Sequence, residues 1–309
     1  GSADGSLYAL NKTNGSRVWT YKSEGEKKYG HWDYYLSSPK IDNEYVYWGS
    51  GDGNLYALEL KTGELKWRFK TEGIVHASPV VDGNVLFIGS FDGFLYALNK
   101  NSGELIWKFD TLGAEYFPKG EIQKAVTVDD KSVYFGSRDY NIYALNKETG
   151  TVKWNLREPG GWIISTPLIE KDQILFGSSD GHRYYCLNKN YGYILWDTFM
   201  SGRVYGTSVV YGDKVFFGCF DGKVIGLDLA SGEKSYEFQS DGSRKNYSKI
   251  YNDEGKYKQD FINSYGKDMN ETEKKILDLG AFLATPVLDG NMMYIGSADS
   301  TLYAVELDQ

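Results

Sequence analysis

Apolar residues in this chain come in short runs of about four to six, each bounded by Gly, Asp, Asn or Ser, a pattern of strands and tight turns rather than of amphipathic helices. Asn84 to Ser90 (NVLFIGS) and Phe94 to Leu98 (FLYAL) are β-branched and aromatic, and Phe91-Asp92-Gly93 between them supplies a hairpin turn. A second turn, Asn101-Ser102-Gly103, leads into Glu104 to Asp110 (ELIWKFD), where period two places Leu105, Trp107 and Phe109 on one face. Upstream, His76 to Val81 (HASPVV) reads as a fourth strand. Its Pro79 lacks an N–H and suits a strand start, as do Pro39, Pro167 and Pro286 at matching places.

This unit repeats as GSxDGxLYALxxxTGxxxW. The openings fall at Gly1, Gly49, Gly89, Gly136, Gly177, Gly218 and Gly296, and apart from the last interval they are 40 to 48 residues apart. Such a period is that of a four-stranded propeller blade. Trp19, Trp67, Trp107, Trp154 and Trp196 each follow a turn glycine by four residues, and Tyr236 takes the same place after Gly232. One large ring per unit predicts one inter-blade socket per unit, so these six residues are read as structural docking groups. The last interval is 78 residues. Tyr236 and Leu277 are 41 apart, which predicts a worn blade over 248–279 within a degenerate stretch 240–280; the alternative is a surface insertion with a short helix starting near Asn270. The expectation is therefore a single all-β propeller domain over 1–309, with eight four-stranded antiparallel blades or alternatively seven. Its N-terminal blade is incomplete and its last blade lacks the Trp-bearing strand, which an upstream segment would supply; the incomplete ends also suggest, as an alternative function, a ligand-sensing domain of a larger receptor.

The repeat resembles the pyrroloquinoline-quinone (PQQ) repeat of quinoprotein dehydrogenases and of the non-enzymatic, eight-bladed lipoprotein of the bacterial outer-membrane assembly machinery. The resemblance implies a propeller, an extracytoplasmic or cell-surface location, and either a binding scaffold or an oxidoreductase using PQQ with calcium. The shared residues build blades, so they identify a fold rather than an activity.

Against the dehydrogenase branch, the chain has no adjacent cysteine pair, and its connections are short. Cys186 and Cys219 occupy small-residue slots of inner strands and read as buried free thiols. Asn252-Asp253-Glu254-Gly255 resembles a calcium loop only locally, since Ile250 and Phe261 would fill its first and twelfth positions. His31, His76 and His182 stand at unrelated repeat positions, which is no metal spacing. No catalytic residue, metal ligand or cofactor is expected.

Net charge is −8, from 34 Lys plus Arg against 42 Asp plus Glu, which argues against nucleic acid as partner. No apolar run is long enough to span a membrane. With 41% hydrophobic residues and 26 Tyr, the core needs no staples. Candidate binding residues are the odd members of the segments joining each Trp strand to the next innermost strand, a place framed by structural residues. They are Trp32 and Tyr35, His76, Glu121 and Lys124, Trp162, Arg203 and Tyr205, and Phe282, accompanied by His31, Asp33, Tyr34, Tyr116, Phe117 and Lys119. Aromatics with a few charges around a channel mouth predict a site for a protein or peptide, or for a small carbohydrate-like ligand. In the quinoprotein alternative, Lys124 or Arg203 would meet cofactor carboxylates and Glu121 would serve as base.

Overall fold

The computed structural model describes residues 1–28, 30–265 and 267–307. Among them are seven antiparallel sheets in chain order. The first pairs β1 (Ser6–Leu10) with β2 (Arg17–Lys22); the second runs β3 (Lys40–Ile41), β4 (Tyr45–Gly49), β5 (Asn54–Glu59), β6 (Leu65–Lys70). The third is β7 (Val80–Asp82), β8 (Val85–Gly89), β9 (Phe94–Asn99), β10 (Leu105–Asp110), and the fourth β11 (Thr127–Val128), β12 (Ser132–Gly136), β13 (Asn141–Asn146), β14 (Val152–Arg157). The fifth is β15 (Leu168–Glu170), β16 (Gln173–Gly177), β17 (Arg183–Asn188), β18 (Ile194–Phe199), and the sixth β19 (Val209–Tyr211), β20 (Lys214–Gly218), β21 (Lys223–Asp228), β22 (Lys234–Gln239). After three helices, β23 (Val287–Asp289), β24 (Met292–Gly296) and β25 (Leu302–Glu306) form the last. The chain divides into two compact units, Gly1–Asn155 and Leu156–Gln309.

The repeat residues have distinct mechanical tasks. Asp92 accepts from Phe94 N (3.0 Å) to shape its own hairpin, from the Tyr96 hydroxyl (2.8 Å), and from Glu72 N (3.0 Å), just beyond the outer strand of the preceding sheet. Asp52 does the same with Asn54 N, Tyr56 and Glu24 N. Gly93 has φ +91°, and a Cβ there would lie 1.7 Å from Lys119 O, so only glycine fits. The Trp indoles bridge successive sheets. Trp19, Trp67, Trp107 and Trp196 donate to Leu60, Lys100, Lys147 and Leu229 O at 3.0–3.1 Å. A Cβ on the next turn glycine (Gly63, Gly103, Gly150, Gly232) would lie 2.5–2.7 Å from the ring. Trp154 packs on Tyr134 (6.0 Å) within its own sheet, and Tyr236 packs edge-on against Phe216 (5.5 Å).

Three expectations need correction. Residues 248–279 hold no blade: the segment from 241 onward folds as α1 (Asp241–Ile250), α2 (Gln259–Ser264) and α3 (Met269–Leu277). It lacks alternating apolar residues, whereas Ser240 caps α1 by accepting from Ser243 N (3.1 Å) and Asp268 caps α3 by accepting from Glu271 N (3.0 Å). The 41-residue spacing of Tyr236 and Leu277 does not mark a repeat. The strand read from His76 is three residues, starting immediately after Pro79; Pro39, Pro167 and Pro286 likewise stand one residue before β3, β15 and β23. Finally, a register shift between Leu105 and Trp107 turns Leu105 outward, 47% exposed, and leaves Trp107 and Phe109 on the inner face.

Candidate functional site

In the first unit, the long connection between β2 and β3 folds over the hairpin end of its neighbours. His76, 2% exposed, lies between two carboxylates from that connection: Nδ1 is 3.0 Å from Asp33 Oδ1 and Nε2 is 2.6 Å from Glu26 Oε1. Burial opposes charging of the ring, but the hydrogen bonds to Asp33 and Glu26 outweigh it and raise the pKa to about 9, so the imidazolium is the neutral-pH form. Asp33 also accepts from Gln123 Nε2 (3.4 Å), which donates to Trp32 O (3.3 Å) as well. Gln123 Oε1 in turn accepts from buried Arg138 at 2.8 and 3.2 Å. Phe91 packs edge-on against His76 (5.7 Å) and under Arg138 (5.4 Å). Trp32 adopts φ +65°, a left-handed conformation unusual for a large residue, inside this network.

Beside the network opens a cavity of about 420 Å³. Phe91 and Ile74 supply its apolar wall, Lys27, Lys119, Glu72 and Glu121 its charge, and Gly51 and Gly73 bring bare backbone to the surface. Glu121 is buried, while Lys27 and Lys119 are exposed at the rim. The Lys124 ammonium, from the β10–β11 connection, sits 3.1 Å from the centre of the half-buried Tyr35 ring of the β2–β3 connection, and desolvation lowers its pKa to about 7.

In the second unit, Arg203 is 2% exposed and donates through Nε (2.8 Å) and a terminal nitrogen (2.5 Å) to Asp180, and also to the Tyr265 hydroxyl beyond α2. Tyr247, Tyr251, Tyr257 and Phe261 form an aromatic series with ring separations of 4.7–5.0 Å, and Tyr265 ends it at 6.0 Å from Phe261 and 6.3 Å from Tyr257. His182 joins the stack edge-on through Tyr257 (5.4 Å). The helical segment is thereby fastened to the hairpin end of the β15–β18 sheet.

Three comparisons bear on identity. The family profile described as "Outer membrane protein assembly factor BamB" matches residues 3–118 and 91–309. The chain belongs to the BamB family. Among solved structures, BamB from Moraxella catarrhalis is similar with a TM-score of 0.54 and 18% identity, covering 100% of this chain and 90% of that one. The computationally designed Ika8 protein gives a TM-score of 0.57 and 14% identity, covering 99% and 92%. At these identities the likeness is one of fold, an all-β propeller of PQQ-type repeats. No curated protein matches the sequence.

Within this BamB-family chain, the sequence-selected residues part company. Trp32 and His76 are joined through Asp33 and Gln123 in the first unit, Glu121 lines the adjoining cavity, and Lys124 pairs with Tyr35. Trp162 is half-buried, and its carbonyl accepts from Ser179 N (2.9 Å). Two others pack into the core. Phe282 is fully buried against Tyr303 and under Gly218, because the strand entry there carries it into the core of the last sheet. Tyr205 is fully buried too, 4.4 Å from Phe220 and bonded to Ser179 Oγ.

Arg203 is sealed and occupied by Asp180 and Tyr265, so it offers nothing to a quinone tricarboxylate, and the Lys124 ammonium is covered by Tyr35. These residues do not fit PQQ. Among the described residues no group of three or more His, Cys, Asp or Glu is placed to hold a metal ion.

Sequence reading missed Glu26, Gln123, Arg138, Asp180 and Glu158. One signal was present: the β16–β17 hairpin is a residue longer than its counterparts, counting Gly177 to Tyr184 against Gly89 to Leu95.

Proposed function

We propose that the chain is a non-enzymatic protein-binding scaffold whose docking surface is the hairpin end of the first unit's sheets. The cavity of about 420 Å³ carries this reading. It offers an apolar anchor site at Phe91 and Ile74, charges of both signs around it, and glycine backbone groups that can meet an extended main chain. That combination suits a peptide segment better than a uniformly charged ligand. The BamB family description, outer membrane protein assembly, supports a protein partner and an extracytoplasmic setting. Among the described residues no helix is long and apolar enough to cross a membrane.

Site-specific photocrosslinking tests it. A crosslinking residue at Lys27 or Lys119 is expected to capture a discrete polypeptide partner in the native cell envelope, and Ile74→Glu should abolish capture. The same probe at Lys66 on the outer strand should capture nothing. Equal capture at all three positions, or capture unaffected by Ile74→Glu, would count against the reading. Supplying PQQ and calcium is expected to produce no alcohol- or aldose-dependent dye reduction; reduction lost in Glu121→Gln would support an oxidoreductase instead.

A further inference from the structure

Each outer strand leaves one row of N–H and C=O groups unpaired, and natural sheets guard such edges with lysine or arginine. Among the described residues, five of the six outer strands follow that rule. β2 carries Arg17 and Lys22, β6 Lys66, Arg68 and Lys70, β10 Lys108, β14 Lys153 and Arg157, and β22 Lys234. β18, Ile-Leu-Trp-Asp-Thr-Phe, carries no basic residue. Its one charge, Asp197, is neutralised by an ion pair with Arg183 of the adjacent β17.

The same edge is unusually apolar. Tyr191 is 75% exposed, Tyr193 55% and Phe199 48%, with Ile194 and Leu195 also exposed, whereas β10 exposes two large apolar side chains, Leu105 and Ile106, and β6 and β14 one each, Leu65 and Val152. The turn before β18 contributes two of these. Where other copies flank the turn glycine with polar residues, as in Thr62-Gly63-Glu64 or Ser102-Gly103-Glu104, this copy has Tyr191-Gly192-Tyr193. The two tyrosine rings lie 6.4 Å apart and nearly parallel. Because Met200 N bonds back to His182 O in the adjoining hairpin, strand alternation directs the N–H and C=O of Asp197 and Phe199 to the open side.

We propose that β18 is a strand-addition site taking an extended, uncharged segment of alternating apolar and aromatic residues from another polypeptide. The unmet groups are backbone groups, which another strand satisfies in full, and Leu195 and Phe199 would form cross-strand pairs with alternate side chains of the incoming segment. A neutral edge suits a neutral strand. A second copy of this chain is disfavoured by its net charge of −8. The site is independent of the hairpin-end cavity, so either can fail alone.

The probe is a ten-residue peptide alternating valine or tyrosine with threonine, titrated into the whole chain and followed by binding and by hydrogen exchange. Exchange is expected to slow in β18 and not in β10, and Leu195→Lys or Tyr193→Lys should weaken binding about tenfold or more, while Ile106→Lys on β10 leaves it unchanged. A peptide of the same composition with central prolines should not bind. Unchanged affinity in both β18 variants, protection spread over all outer strands, or self-association through β18 without peptide uptake would overturn the proposal.

Discussion

The β7–β10 and β15–β18 sheets start from the same repeat and end with different chemistry. In the first, Asp92 holds Tyr96 and the backbone that follows the preceding outer strand. In the second, one extra hairpin residue carries Asp180 out of reach of Tyr185, the counterpart of Tyr96. Glu158 fills the gap. It stands four residues after Trp154, where other copies have Ser23, Thr71 or Thr111, and it accepts from Tyr185 (3.1 Å), Gly160 N (2.6 Å) and Gly161 N. Asp180, released from the turn network, grips Arg203, and Arg203 reaches the helical segment. A repeat position becomes available for a new contact once a neighbour takes over its structural duty.

The largest expected effect tests the regular sheet. Trp107→Ala removes a ring clamped between Lys147 O and Gly150, and should cost about 3–5 kcal/mol in urea unfolding. Trp162→Ala should cost far less; equal midpoint shifts would show that Trp162 belongs to blade packing.

His76 should govern the alkaline side of stability. Its folded pKa of about 9 exceeds the unfolded 6.5, so its stabilisation is complete below about pH 6.5 and is lost as pH rises through 9. The full contribution corresponds to about 3 kcal/mol. His76→Gln should flatten the difference in melting temperature between pH 6 and pH 9.5, and a variant with the wild-type pH profile would remove His76 from that role.

Asp221 shows a third outcome for the hairpin aspartate. Position 225 is Ile instead of Tyr, and burial raises the carboxyl pKa from 3.8 to about 6, partly offset by Lys223. The folded state therefore holds the proton more tightly, and the penalty grows as pH rises from about 4 to 6. Asp221→Asn should stabilise by about 3 kcal/mol near pH 7.5 and by nothing near pH 3.5. A loss of stability at pH 7.5 would mean that the charge is compensated.

The smallest effect probes the replacement itself. Glu158→Gln keeps the shape but turns charge-assisted bonds into neutral ones, and should cost about 1 kcal/mol. In Asp92→Asn the corresponding loss should be similar. A neutral Glu158→Gln beside a costly Asp92→Asn would show that Glu158 does not replace the aspartate.

The blades were legible because period, hairpin and docking tryptophan are local features written once per copy. Residues 240–280 were not: a chance spacing of Tyr236 and Leu277 resembled the repeat, while the capping residues Ser240 and Asp268 carried the true signal. Of the candidate site, His76 and Glu121 stood out as departures from the repeat, but Glu26 and Gln123 did not, since nothing in their local sequence shows that they face His76 or Asp33.

By itself the sequence determined that this chain folds into antiparallel four-stranded units, because alternation, positive-φ glycines and one large ring per copy leave the backbone few other ways to bury its apolar face. Only the tertiary structure decided which charges meet. His76 sits between carboxylates 43 and 50 residues away and Arg203 reaches a tyrosine 62 residues away. Such partnerships depend on how sheets bring distant loops together, and burial then sets whether each group is charged.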